Sequence, residues 1–220
     1  MTDKTAISRG VVLAGGTSTR YGSTEEDKAL SRIDSKSCLV RVLDTLRRAT
    51  EPPPVVVVRT PDQRARYAAI VDTIEVEFTF DSSRFEGPLS GIVGAAVETE
   101  TPWLFCCGCD MPLLARAAIR WMLQRLAHRA DVGDERVDAV AIEQSDGTLE
   151  PLHTLYRRES VLEVTESIPR AAGLQALLSE LDGVYTISSR SIPDSVPLSR
   201  SKTNVNTRED LEHVRSQLIE

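Results

Sequence analysis

Val55-Val56-Val57-Val58 constrains this chain more than any other stretch, because four β-branched residues follow one another with no polar position between them. Side chains alternate across a strand, so such a run needs apolar cover on both faces. That is the situation of a strand inside a parallel sheet with helices above and below it. Glu51-Pro52-Pro53-Pro54 stops the preceding helix and delivers the chain to this strand.

Strand and helix patterns alternate on either side of it. Strands are expected at Ile7–Leu13, Glu75–Phe80, Trp103–Cys107 and Asp138–Ile142. Leu39, Val42, Leu43 and Leu46 stripe a helix over Ser37–Ala49, Asp62–Val71 reads as a second, and the small apolar run Pro88–Val97 suits a helix packed close against a sheet. Pro112 can open another, striped by Ile119, Met122, Leu123 and Leu126. The expected fold class is therefore α/β, a single Rossmann-like domain with a mostly parallel sheet and helices on both faces.

Beyond Glu143 the pattern loosens. Gln144–Thr148 is a hairpin turn, Glu150–Tyr156 an irregular strand, Leu174, Leu177, Leu178 and Leu181 a helix stripe, and Val184–Ile187 a short strand. Ser188–Ser201, rich in Ser and Pro, should be an exposed loop before a last helix, Arg208–Leu218, capped by Thr207. We expect one domain over residues 1–220, with 1–143 as a nucleotide-binding half and 144–220 as an acceptor-binding half.

The first strand ends in Val11-Val12-Leu13-Ala14-Gly15-Gly16-Thr17-Ser18-Thr19-Arg20-Tyr21-Gly22, followed by Asp27-Lys28-Ala29-Leu30. Glycines let backbone N–H groups approach an anion, and Arg20 and Lys28 add formal charge to the same span. A glycine-rich turn without function is the plain alternative. A Walker loop is excluded because the chain contains no Gly-Lys pair, and the dinucleotide fingerprint because the glycines are adjacent. A nucleotide phosphate site is the expectation that remains.

Charge supports that placement. The chain carries a formal −7, which argues against broad nucleic-acid binding, yet residues 1–50 hold nine Lys/Arg against six Asp/Glu. The first ten residues lack the apolar core of a signal peptide, and the longest largely apolar uncharged stretch, Gly87–Val97, is too short to cross a bilayer. A cytoplasmic location is expected. Cys106, Cys107 and Cys109 cluster, but no second Cys/His pair completes a zinc site nearby, and their apolar setting suits buried thiols better than metal or redox chemistry.

Two aspartates stand at expected strand ends. Asp110, between the strand at Trp103–Cys107 and Pro112, could ligate a hard cation such as magnesium or cap the helix after Pro112, and the two roles are compatible. Asp81 could accept hydrogen bonds from a base or sugar, or make an Asx-turn. His128, His153 and His213 are scattered and read as structural or surface residues. A phosphate loop, two cations and a metal-holding carboxylate, with no evident protein nucleophile, describe attack of an acceptor phosphate on a nucleotide α-phosphate with release of pyrophosphate.

The loop Leu13–Gly22 with Asp27-Lys28-Ala29-Leu30 resembles the nucleotidyltransferase signature LAGGxSxRxG…DKxL. Gly87-Pro88-Leu89-Ser90-Gly91, Cys109-Asp110-Met111-Pro112, Glu150-Pro151-Leu152 with Leu155-Tyr156, and Asn204-Val205-Asn206-Thr207 with Asp210-Leu211 follow in family order. Over nearly its whole length the chain resembles the molybdenum cofactor guanylyltransferase family. The resemblance implies transfer of GMP from a GTP–Mg2+ complex to molybdopterin cofactor, giving its guanine dinucleotide form. It implies GTP binding by Leu13, Ala14, Gly15, Gly16 and Lys28, a nucleoside contact from Asp81, and magnesium and nucleotide binding by Asp110. Arg20 would stabilise phosphate charge, Asn204 and Asn206 would lie near the pterin, and contact with molybdoenzymes would be transient.

Three features depart from the pattern. Ser23-Thr24-Glu25-Glu26 lengthens the gap before Asp27-Lys28, Arg59 stands where the family often has a small polar residue, and Ser188–Ser201 does not align. The cytidylyl relatives carry Ala-Ala-Gly in place of Ala-Gly-Gly, and the adenosylcobinamide-phosphate guanylyltransferases lack the Asp-Met-Pro context. A non-catalytic delivery protein for molybdoenzymes would have no need of both Lys28 and Asp110.

Overall fold

A computed structural model describes residues 7–16, 27–131 and 136–219. Arg20 and the Ser23–Glu26 insertion lie outside the described residues. The strands of the central sheet are β1 (Ser8–Leu13), β2 (Val55–Val58), β3 (Glu77–Phe80), β4 (Trp103–Gly108), β5 (Ala139–Glu143), β6 (Leu149–Arg157) and β7 (Val184–Ser188). The helices are α1 (Cys38–Ala49), α2 (Pro61–Ala68), α3 (Gly87–Glu98), α4 (Arg116–Asp131), α5 (Arg158–Val164), α6 (Leu174–Glu180), α7 (Leu198–Ser201) and α8 (Arg208–Ile219).

The strands lie in the order β3-β2-β1-β4-β6-β5-β7, and β6 runs antiparallel to both its neighbours while the other pairings are parallel. The mostly parallel α/β sheet read from the sequence is present. The hairpin at Gln144–Thr148 is also present, but it folds β6 back between β4 and β5, so residues 144–220 complete the sheet that residues 1–143 begin.

Strand alternation divides the core in two. Val12, Val56, Val58, Phe105 and Cys107 pack with Leu39, Leu43 and Leu46 of α1 and Ile119, Met122 and Leu126 of α4. Val11, Val55, Val57, Leu104 and Cys106 pack with α3, α5 and α6 on the other face. The four valines of β2 are all buried, as their position between β1 and β3 requires. In α3 the small residues are a steric necessity, since a Cβ on Gly94 would run into the Phe80 carbonyl and one on Gly91 would lie 2.8 Å from Leu13 Cδ2.

Local signals end the helices where expected. Ser37 caps α1 by accepting from the Val40 N–H at 3.3 Å. Thr207 caps α8 by accepting from Asp210 N–H at 3.1 Å, and Asp210 answers by accepting from Thr207 N–H at 2.8 Å, a reciprocal capping box. A third apolar cluster of Ile33, Cys38, Leu113, Val205, Leu211 and Val214 ties α8 to the turn after β4.

Two expectations need correction. Pro112 does not open a helix: it sits in a turn closed by Leu114 N–H to the Met111 carbonyl, and α4 begins only at Arg116. Ser188–Ser201 is not simply an exposed loop, because it ends in α7 with Leu198 and Ser201 buried. Long-range contacts that composition cannot reveal decide both. Ser201 Oγ accepts from Ala115 N–H at 2.9 Å and so joins the two regions.

Candidate active site

A groove enclosing about 200 Å3 opens beyond the carboxyl ends of β1 to β4, where open α/β sheets gather ligands. Leu13, Ala14, Gly15, Gly16, Lys28, Asp81 and Asp110, widely separated in sequence, all line it. Arg20 lies outside the described residues.

The glycine loop is fixed at its base and bare at its tip. Ala14 N–H donates to the Val57 carbonyl at 2.9 Å, and the Leu13 carbonyl accepts from Cys109 N–H at 3.2 Å. The N–H groups of Gly15 and Gly16 have no acceptor among the described residues. A Cβ on Gly15 would lie 2.6 Å from Asp81 Oδ2, whereas one on Gly16 would meet nothing within 4 Å among the described residues. The two adjacent glycines thus do different jobs: Gly15 makes room for a carboxylate, and Gly16 leaves open space.

Asp81 is wedged between the glycine loop and α3 rather than bonded into an Asx-turn. Its carboxylate packs against Gly15 and Gly91, and Arg59 Nε stands 3.7 Å from Oδ2. Burial raises its pKa, while the Arg59 guanidinium and the Ser90 hydroxyl pull it part of the way back.

Lys28 begins a 3-10 turn, Lys28–Leu30, capped by Asp27, which accepts from Ala29 N–H at 3.1 Å. The other Asp27 oxygen accepts a 2.7 Å hydrogen bond from the hydroxyl of Tyr67, a residue buried in α2. Lys28 Nζ donates to Asn206 Oδ1 at 2.9 Å. Asn204 and Asn206 are both exposed and both outside the groove wall, while Val205 between them is buried and its N–H donates to the Asp110 carbonyl at 2.7 Å.

Asp110 follows β4 and folds back over Gly108, where a Cβ would collide with its Oδ1. Burial raises its pKa and the nearby Lys28 charge lowers it. Because α4 starts at Arg116, Asp110 does not cap that helix. Among the described residues no group of three or more His, Cys, Asp or Glu could hold a metal alone. A carboxylate completed by ligand oxygens and water suits a hard cation such as magnesium.

The sequence reading missed several members of the site. Arg59 and Asp27 line the groove, as do Cys109 and Leu152, and Tyr67 orders the turn beneath it. Arg59 was visible only as a departure from pattern, and Tyr67 gave no signal because its contact with Asp27 spans 40 residues. Cys106 and Cys107 are fully buried on opposite faces of β4, and burial pushes both thiols up. His153 is fully buried, with Nε2 2.7 Å from Ser201 Oγ, and burial lowers its pKa to about 4. His213 is on the surface beside Gln217.

Comparison with known proteins gives this arrangement a family. Residues 10–184 match the family model of the MobA-like NTP transferase domain. A probable molybdenum cofactor guanylyltransferase of Natronomonas pharaonis is 32% identical over 211 residues, covering 95% of this chain and 97% of that protein. The crystal structure of molybdopterin-guanine dinucleotide biosynthesis protein A from Archaeoglobus fulgidus superimposes with a TM-score of 0.73 at 20% identity, covering 96% of this chain and 98% of that one. Rv0371C of Mycobacterium tuberculosis, solved in complex with manganese, shares the fold at a TM-score of 0.62 and 17% identity, covering 97% of this chain and 100% of that one. With residues 10–184 of 220 matched, this chain belongs to the MobA-like NTP transferase family.

Proposed function

We infer that this chain transfers the GMP moiety of GTP to the terminal phosphate of molybdenum-bound molybdopterin, forming the guanine dinucleotide cofactor and releasing pyrophosphate. The observation that carries the reading is the convergence of the glycine loop, Lys28, Asp81 and Asp110 on one groove, in a chain whose curated relatives are named for this activity.

In the reaction an acceptor phosphate oxygen attacks the α-phosphorus of GTP. A new P–O–P bridge forms as the bond from the α-phosphorus to the bridging oxygen of the β-phosphate breaks, and pyrophosphate leaves with that oxygen. No protein nucleophile is needed, so the residues act by positioning and by charge. The Leu13–Gly16 backbone would hold the triphosphate, with the Gly15 and Gly16 amides as donors. Lys28 would neutralise charge on the phosphates, and Arg20 is assigned the same role. Asp81 would contact the nucleoside, next to Arg59. Asn206, already bonded to Lys28, and Asn204 beside it would meet the acceptor, so that residues 144–220 act as the acceptor half.

Asp110 would hold a divalent ion, magnesium in our reading, and the hollow over Gly108 accommodates its carboxylate. When bound, such an ion would help neutralise phosphate charge. The chain has no helix among the described residues long and apolar enough to cross a membrane, and we assign the enzyme to the cytoplasm, with molybdoenzymes as transient recipients of its product.

The test is pyrophosphate release from GTP, CTP and ATP with magnesium, with and without molybdenum-bound molybdopterin. Release that needs both GTP and the pterin is expected. Turnover with CTP alone would move the chain to the cytidylyl branch, and GTP binding without turnover would favour a delivery protein or a cobinamide phosphate acceptor.

A further inference from the structure

A second concavity, enclosing about 460 Å3, lies between α1, the start of α4 and α7. Lys36, Arg41, Arg48, Arg116 and Arg200 line it with a single carboxylate, Asp44, in a chain whose formal charge is −7. The preference for arginine is general here, with 22 arginines against four lysines, so residue type says nothing; the concentration of charge does.

Part of that charge is accounted for within the fold. Lys36 pairs with Asp44, and Arg41 pairs with Asp34 and donates to the Ile33 carbonyl. Arg200 spends one donor on the Gln217 carbonyl at 3.2 Å. Arg48 and Arg116 have no acidic partner among the described residues. Arg48 is in the last turn of α1, where a cation complements the helix dipole. Arg116 stands in the first turn of α4, where a cation opposes the dipole and no acidic residue offsets it. A local rule is broken where positive charge already accumulates, which is the pattern of a site that awaits an anion.

We propose that this groove binds an oligophosphate anion at a site separate from the candidate active site. Guanidinium forks match phosphate oxygens bidentately, and cations spread around a concavity require an anion with several charged groups. Inorganic pyrophosphate and a nucleoside triphosphate share that chemistry. The groove wall includes Pro112, Leu113 and Leu114, which begin two residues after Asp110, so an occupant would press on the segment next to that carboxylate. The proposal does not depend on the reaction assigned above.

The experiment is calorimetric titration of the full chain with inorganic pyrophosphate, without divalent metal, in the wild type, in Lys28→Ala, in a triple Arg48→Ala/Arg116→Ala/Arg200→Ala variant, and in a control triple Arg47→Ala/Arg64→Ala/Arg190→Ala. A pyrophosphate site that persists in Lys28→Ala and weakens at least tenfold in the groove triple but not in the control is the expected result. Absence of binding in the wild type, loss with Lys28→Ala and none with the groove triple, or equal loss in both triples would overturn it. Should the groove triple not fold, Arg116→Gln alone should weaken binding about threefold. Competition by GTP in Lys28→Ala separates a nucleotide site from one for the inorganic anion.

Discussion

Lys28 Nζ donates a 2.9 Å hydrogen bond to Asn206 Oδ1 across 178 residues of sequence. The bond is exposed, so it adds little to stability, yet it joins the turn after the glycine loop to the segment before the last helix. Lys28→Ala should cut kcat/KM by a factor of about 100 or more, as loss of a charge aimed at a transition state does. Asn206→Ala should cost about tenfold at an unchanged Tm, and the double variant should fall short of the product of the two, because the residues act as a unit. Steady-state kinetics on the four proteins, with thermal unfolding as the control, checks this.

Asp110→Asn separates a metal-holding role from a structural one. Burial raises the Asp110 pKa, so its ionised form is disfavoured in the folded state. The penalty is absent below the unfolded carboxylate pKa and develops as pH rises through the higher folded value. The variant should therefore be as stable as the wild type or more so at pH 7, with any gain vanishing in acid, while magnesium-dependent turnover falls by about two orders of magnitude. A drop in Tm at pH 7 with activity retained would return Asp110 to a structural role.

Gly15→Ala and Gly16→Ala should differ although the residues adjoin. A Cβ at Gly15 lies 2.6 Å from Asp81 Oδ2 and must displace it, so that variant should lose stability and nucleotide affinity together. At Gly16 the described residues offer no obstacle, so Tm should hold, and a raised KM for GTP would locate the ligand against that backbone. Thermal unfolding with and without GTP distinguishes the two.

His153 predicts an acid dependence. Its folded pKa of about 4 lies below the ordinary value of 6.5, so its stabilising contribution is complete above pH 6.5 and is lost as pH falls from there through about 4. Asn tolerates the positive φ of 76° found at this position, so His153→Asn chiefly tests the bond to Ser201 and the ring packing on Phe105. It should cost about 1–3 kcal/mol at pH 7 and flatten the loss between pH 6.5 and 4. Denaturant unfolding at a series of pH values reads both effects.

Much of the site was legible because its parts sit at strand ends. Gly15, Asp81 and Asp110 each follow a strand whose apolar run is visible, and parallel strands carry their carboxyl ends to one edge. The start of α4 was misread because proline permits a helix without requiring one. At Pro112 the chain instead turns through Met111–Leu114, whose Leu113 side chain joins the cluster with Val205 and Leu211.

The sequence alone determined the strand and helix alternation, the loop chemistry and the two aspartates, because periodicity and turn composition act over a few residues. Tertiary structure decided what stands beside what. Folding β6 between β4 and β5, seating Tyr67 on Asp27, bringing Asn206 to Lys28 and gathering Arg48, Arg116 and Arg200 around one concavity all join residues far apart in the chain. Such contacts follow from how the two core layers close on the sheet, and no local pattern encodes that closure.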